Sequence, residues 1–522
     1  MNSTHKDGGF EPPAQALSSP GSPGAVTSFT PSVRVTRKAR KGLVDEVLDL
    51  SATFHRPAFR SASVYRTVSK AVLGIVAGIA TGTLTDVLTL DGQEGDSGYA
   101  TVYHAFSRGH WDLPAVHQGT VKAALPLFEF EAPITAALDA TTVEKTSQNL
   151  FGTRWCHDAA GPKGIGVQLL WGLPLSHIAL IVPTRSNFRA TAVTVGLDLI
   201  PGKGKTKRRK RGERGETEPP RKKGRPTKEE AARKALEPRL PKATEVGLEQ
   251  IKRLRADLDA LGARNRQLIV ATDGAYINKT LLPNLPDRVS LVGRARRDAV
   301  LYAPSSNEGC PHGDLLPTPE TIAKDDSFPP TFGKFFYGGD LRDLKYKVLP
   351  HPVIWRFDKY HLGVLRLIVL MPIRYLGPSG KYQYNAYYYV LTNDLSSPVE
   401  LLIQAVLDRW QIEVLHRDLK HDIGLGKDQC RNPVSMARVP SMVAATFALI
   451  KVAALRLYGP NRSEKVFNAL PRWRQDMERS RAARRVAKGK IPPILRPSVQ
   501  DLLALLRKEL LFRWVNGKAR RR

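Results

Sequence analysis

The chain has 522 residues, 42% of them hydrophobic, with 80 Lys and Arg against 49 Asp and Glu for a formal charge of +31. The apolar share is that of a globular protein and excludes a wholly disordered chain. So large a cationic excess repels itself unless a polyanion is bound, which makes nucleic acid the expected partner.

Three cysteines, Cys156, Cys310 and Cys430, are too scattered for a disulfide framework and fit a reducing compartment. Cys156-His157 and Cys310-Pro311-His312 lack the paired spacing of a structural zinc site. The first twenty residues are polar and hold Pro, Gly and Ser, unlike a secretory signal. The apolar runs at 71–84 and 439–450 are too short to span a bilayer, so no membrane partner is expected.

In chain order, residues 1–42 are Ser/Pro/Gly-rich and then basic, and are expected to form a disordered arm. Residues 43–130 read as helical, over 64–80, 99–106 and 116–128, with a polar junction at 91–97. This region is the candidate DNA-binding domain of helix-turn-helix type, and an ordinary helical packing domain fits the same pattern. Residues 131–300 read as the first part of an α/β core. Strand-like runs occupy 134–139, 164–170, 177–182 and 190–200. Leu248, Ile251, Leu254, Leu258 and Leu261 then mark an amphipathic helix, followed by buried strands at 266–273 and 289–292.

Inside that core, 202–240 is a basic insertion expected to be disordered. Between Lys203 and Lys228 there are thirteen Lys or Arg and three acids. The run either tracks phosphates, through Lys207, Arg208, Arg209, Lys210 and Arg211, or is a solvated linker. Residues 301–395 are Pro- and aromatic-rich with strand-like runs at 364–370 and 382–391, a β-rich insertion returning to the main sheet. Residues 396–460 carry core helices. Ser397, Pro398 and Glu400 suit a cap, a first helical position and a capping box for one helix over 398–421. Another helix covers 439–458, and 461–522 is a basic helical tail. Strands, then a helix, then further strands predict a mixed α/β sheet flanked by helices.

The helix over 398–421 contains Arg409, Glu413 and Lys420, which share one face at about 100° per residue, beside an apolar stripe of Ile412, Leu415 and Leu419. In a chain this basic the spacing alone is weak evidence. Asp139 follows the apolar run 134–138, and Asp273 follows 268–272. Two strand ends and a helix packed across them can bring three carboxylates together, a hard-oxygen set suited to Mg²⁺. The plainer alternatives are a turn or cap for each Asp and a surface ion-pair face for the Glu.

In this order the three acids resemble the DDE-type transposases of bacterial insertion sequences, whose core is RNase H-like. Arg409, Glu413 and Lys420 match the Arg-x3-Glu-x6-Lys subgroup pattern, whose preceding Tyr position is Val406 here. Asp139-Ala140-Thr141 and Asp273-Gly274-Ala275-Tyr276 resemble the two Asp motifs, and 389–394 the approach to the Glu. The resemblance implies that Asp139, Asp273 and Glu413 are catalytic and hold two Mg²⁺ ions, with Mn²⁺ able to substitute, and that Arg409 and Lys420 bind DNA. It also implies terminal inverted repeats and target DNA as partners, a homodimer or larger synaptic assembly, and a cytoplasmic, nucleoid-associated bacterial protein. An RNase H-like nuclease or domesticated transposase without integration, and a non-catalytic nucleic-acid-binding protein, are the alternative readings.

Overall fold

The computed structural model describes residues 42–78, 96–147, 149–158, 168–184, 189–202, 240–305, 312–337, 340–357, 360–376, 382–428, 430–459, 472–487 and 499–519. The expected arm, nearly all of the basic insertion with Lys207, Arg208, Arg209, Lys210 and Arg211, and Cys310 lie outside the described residues.

Among the described residues four helices come first: α1 (Leu43–Leu50), α2 (Ala62–Ala77), α3 (Asp96–Ser107) and α4 (Leu113–Ala124). Asp112 caps α4 by accepting from the Ala115 amide, with Pro114 in the first turn where no amide is needed. Val116, His117, Gly119, Thr120, Val121, Ala123 and Ala124 are all buried. Pro114 and Lys122 stay exposed on the opposite side, so α4 packs through one face and leaves the other to solvent, and most of the polar junction at 91–97 lies outside the described residues.

The strands follow: β1 (Ile134–Glu144), β2 (Arg154–His157), β3 (Leu169–Thr184) and β4 (Arg189–Leu199), then helix α5 (Ala243–Ala260), then β5 (Leu268–Thr272), β6 (Val289–Arg294) and β7 (Leu301–Tyr302). After the short helix α6 (Pro319–Lys324) come β8 (Thr331–Tyr337), β9 (Asp340–Val348), β10 (Val353–Phe357), β11 (Tyr360–Leu370), β12 (Arg374–Leu376), β13 (Tyr382–Tyr384) and β14 (Tyr388–Thr392). Helices α7 (Val399–Asp408), α8 (Trp410–Arg417), α9 (Pro433–Tyr458), α10 (Arg472–Val486) and α11 (Val499–Ala519) complete the described chain.

The main sheet runs β2-β3-β1-β5-β6-β14-β11-β10-β7, with β4 on β3, β9 on β11 and β8 on β9. β1, β5 and β6 are parallel neighbours, and the other pairs are antiparallel. This is the mixed, RNase H-like sheet that the strand–helix order predicts. The stretch expected as an insertion mostly extends that sheet, since β14 pairs β6 and β11 pairs β14. Only β12 and β13 stand apart as a two-stranded ribbon.

All five residues of β5 are buried, as a parallel strand covered on both faces requires. Its side chains alternate between two cores. Leu268 and Val270 join a large core with α5 and α9, whereas Ile269 and Ala271 join a smaller one with Leu402, Ile403, Ala405 and Val406 of α7. The N-terminal helices share the large core. Arg438 of α9 donates to the carbonyls of Phe106, Gly109 and Trp111, and the His117 ring is hydrogen-bonded to Ser441 at 2.7 Å.

Three sequence expectations change. Most of the run 164–170 lies outside the described residues, its last two residues belong with 177–182 to the continuous strand Leu169–Thr184, and β2 before it carried no sequence signal. The helix expected over 398–421 comprises α7 and α8, joined through Arg409 with its backbone still helical, and then a π turn over Asp418–Ile423. The capping box also fails, because the Ser397 hydroxyl donates to Asp394 and Glu400 accepts from Tyr346. Finally, α9 extends well beyond 439–450 and is long and apolar enough to cross a membrane, although 83% of its most apolar window is buried inside the fold.

The chain leaving α8 is latched to the far end of β1. Lys145 donates to the carbonyls of Gly426 and Asp428 at 2.7 and 2.8 Å and pairs with the Asp428 carboxylate at 3.3 Å. Gly426 has φ +94°, and a Cβ there would lie 1.7 Å from Val143 Cγ1. Gly426→Ala should therefore lower the unfolding free energy by about 3 kcal/mol or more, combining left-handed backbone with a steric clash. A urea midpoint equal to that of the parent would show that the latch is not needed for stability.

Candidate active site

β1 and β5 run parallel with Leu138 opposite Thr272. The next residue on each is the acid, so Asp139 and Asp273 emerge side by side, one strand spacing apart, about 4.8 Å. Asp139 does not end its strand, as the sequence suggests, because β3 continues to pair β1 through Glu144. It lies mid-strand, at the point where the parallel neighbour stops and one side of β1 opens. Asp273 is exposed and leads into the short 3₁₀ turn Gly274–Tyr276.

Glu413 arrives from α8. Ile412, Leu415 and Leu419 are buried in the large core, which fixes the orientation of α8 against β1. Arg409, between α7 and α8, ties the acids together. Its Nη2 donates to Glu413 Oε1 at 2.7 Å and its Nη1 to Asp139 Oδ2 at 3.4 Å. Lys420 is half-buried on the same side and within electrostatic reach of Asp139 and Asp158. The structure thus gathers Asp139, Asp273, Glu413, Arg409 and Lys420 into one place.

The site is short of positive charge. Burial raises the Asp139 carboxyl to about 6; Arg409 and the Ala140 amide oppose the shift, while Glu413 and Asp273 add to it. The donor set is all carboxylate oxygen, which fits a hard divalent cation such as Mg²⁺. Among the described residues, however, no three Asp, Glu, His or Cys side chains are grouped closely enough to hold one ion, because the Arg409 guanidinium lies between Asp139 and Glu413. That also leaves Cys156 and Cys430 as free thiols outside any such group.

Several neighbours were not legible in the sequence. His177, the register partner of Asp139, packs its ring 5.0 Å from that of His416, one turn beyond Glu413 on α8. Burial pushes the His177 imidazole down to about 3 and the His416 imidazole well below its ordinary value, so both are neutral packing groups. Tyr388 of β14 has its phenol raised by burial and lowered in part by Arg409, against which it lies. Arg294 stacks on the same ring at 5.4 Å. His416 extends the Ile412–Leu415–Leu419 stripe and so was findable by periodicity. His177 and Tyr388 arrive through strand pairing, which leaves no local trace. Val406, at the Tyr position of the resemblance, is buried in the smaller core.

Because the folded Asp139 binds its proton more tightly than an unfolded Asp, with an ordinary value near 3.8, stability falls as pH rises from about 4 to about 6. Asp139→Asn removes that charge. In chelator, it should be more stable than the parent by about 1–2 kcal/mol above pH 6, with the gap closing towards pH 4. Paired thermal melts across this range check it; a gap independent of pH would assign the effect to something other than the Asp139 charge.

The model of a family described as DDE superfamily endonuclease matches residues 71–321, just under half of the chain. The match takes in Asp139 and Asp273 on their neighbouring parallel strands and ends before Glu413. No curated protein matches the chain. With its RNase H-like sheet and gathered acids, the chain is similar to the DDE superfamily endonucleases over the matched residues.

Proposed function

We propose that the protein is a DNA transposase that binds the terminal inverted repeats of an element, cleaves the DNA ends by phosphodiester hydrolysis and joins the freed 3′-hydroxyl to target DNA. The observation that carries this reading is the meeting of Asp139 and Asp273 in register, with Glu413 tied to Asp139 through Arg409. Asp139, Asp273 and Glu413 would hold the divalent cations, Mg²⁺ or Mn²⁺. When bound, those cations supply activation of the attacking oxygen and charge neutralisation at the leaving one. Arg409 and Lys420 grip the phosphates flanking the cleaved bond, the cationic role their position and charge suit. The +31 charge supports a double-stranded DNA partner, and acting on two element ends calls for a dimer or larger assembly.

Asp139→Asn, Asp273→Asn and Glu413→Gln should each reduce metal-dependent nicking of a terminal-repeat duplex by about a thousandfold or more while leaving duplex affinity within a few-fold. Wild-type nicking rates in any one variant would remove that residue from the site. Supplying precut ends tests the second step. Joined product identifies a transposase, and nicking without joining identifies a nuclease. Deleting 203–228 should flatten the dependence of log affinity on log salt, by about 0.9 for each phosphate no longer neutralised; an unaltered slope would make that run a linker.

A further inference from the structure

Arg409 occupies an unusual place for a phosphate-binding cation, since both ends of its fork are already taken up by acids of the site. Nη1 faces Asp139 and Nη2 faces Glu413, and the side chain is 13% exposed. Its buried Nε has no hydrogen-bond partner. One donor of the guanidinium is therefore unused where it stands, and turning the side chain out would offer it to a phosphate oxygen. On its other side Arg409 lines an open cleft of about 640 Å³, with Tyr388, Asp408, Trp410 and Arg417 among the other walls. Arg409 joins α7 to α8, and because it already lines that cleft its side chain can turn towards it without moving Glu413 or the buried stripe of α8.

We infer that Arg409 is a counter-ion lock: without DNA its guanidinium neutralises Asp139 and Glu413 and excludes divalent cations, and a DNA phosphate draws it away and opens the acids to metal. This rests on the proposed reading that these acids hold cations. A guanidinium within contact distance of two carboxylates competes directly with a doubly charged ion for the same oxygens, and the two cations repel each other. By linkage, whatever factor DNA adds to metal affinity, metal adds to DNA affinity. The lock thus ties cutting competence to the presence of substrate.

The test is Mn²⁺ titrated alone into the full-length, DNA-free protein, read by calorimetry and by the electron paramagnetic resonance signal of free Mn²⁺. Arg409→Gln should bind Mn²⁺ about tenfold or more tightly than the parent, and the gain should vanish in Arg409→Gln/Glu413→Gln. Arg409→Lys, which keeps the charge but not the two-pronged reach, should fall between them and stands in if the Gln variant fails to fold. Equal affinities in parent and variants would overturn the lock, as would a Gln variant that takes no Mn²⁺. Metal-dependent nicking by the parent separates the two ideas. If it persists when the lock fails, the acids still hold cations; if nicking ignores metal, the underlying reading falls as well.

Discussion

The parallel pairing of β1 with β5 is the constraint on which the site depends. Two acids more than a hundred residues apart in the chain become neighbours because Leu138 and Thr272 are in register. A slip of one residue would turn one acid to the opposite face of the sheet. The register is protected by burial on both faces: every residue of β5 is enclosed, and its alternate side chains are claimed by two separate cores. A register shifted by one residue would place Ile269 and Ala271 where Leu268 and Val270 belong.

The third acid is delivered by a different device. α7 buries Leu402, Ile403, Ala405 and Val406 in the smaller core, whereas α8 buries Ile412 and Leu415 in the larger one. The residue that joins the two helices, Arg409, is the one that reaches both Asp139 and Glu413. Downstream, Lys145 and Gly426 hold the exit from α8 against β1. The Glu-bearing helix is therefore anchored at both ends to elements that carry or flank the other acids.

Much of this was legible in the sequence where local chemistry decides it. The apolar runs ending in Asp139 and Asp273, the stripe of Ile412, Leu415 and Leu419, and the face shared by Arg409 and Glu413 all mark real elements. The failures have one physical cause: partners distant in the chain. Asp139 reads as a strand end because the apolar run stops at Leu138, yet β3 carries the strand further. Ser397 and Glu400 have the spacing of a cap, but Asp394 and Tyr346 offer them better bonds. Residues 301–395 read as β-rich and returning to the main sheet, and the return is made by β14 on β6, a pairing that local sequence does not reveal.

The packing of the first four helices has a consequence for how the protein can be divided. α9 serves as a common wall, with the sheet against one side and α1, α2 and α4 against another, and Arg438 ties it to the carbonyls of Phe106, Gly109 and Trp111. Trimming the chain back to the acid-bearing strands would bare Ala444, Phe447, Ala448 and their neighbours to water and strand the Arg438 fork without acceptors. The strands that carry the acids and the helices ahead of them are thus inherited as one indivisible body rather than as exchangeable modules.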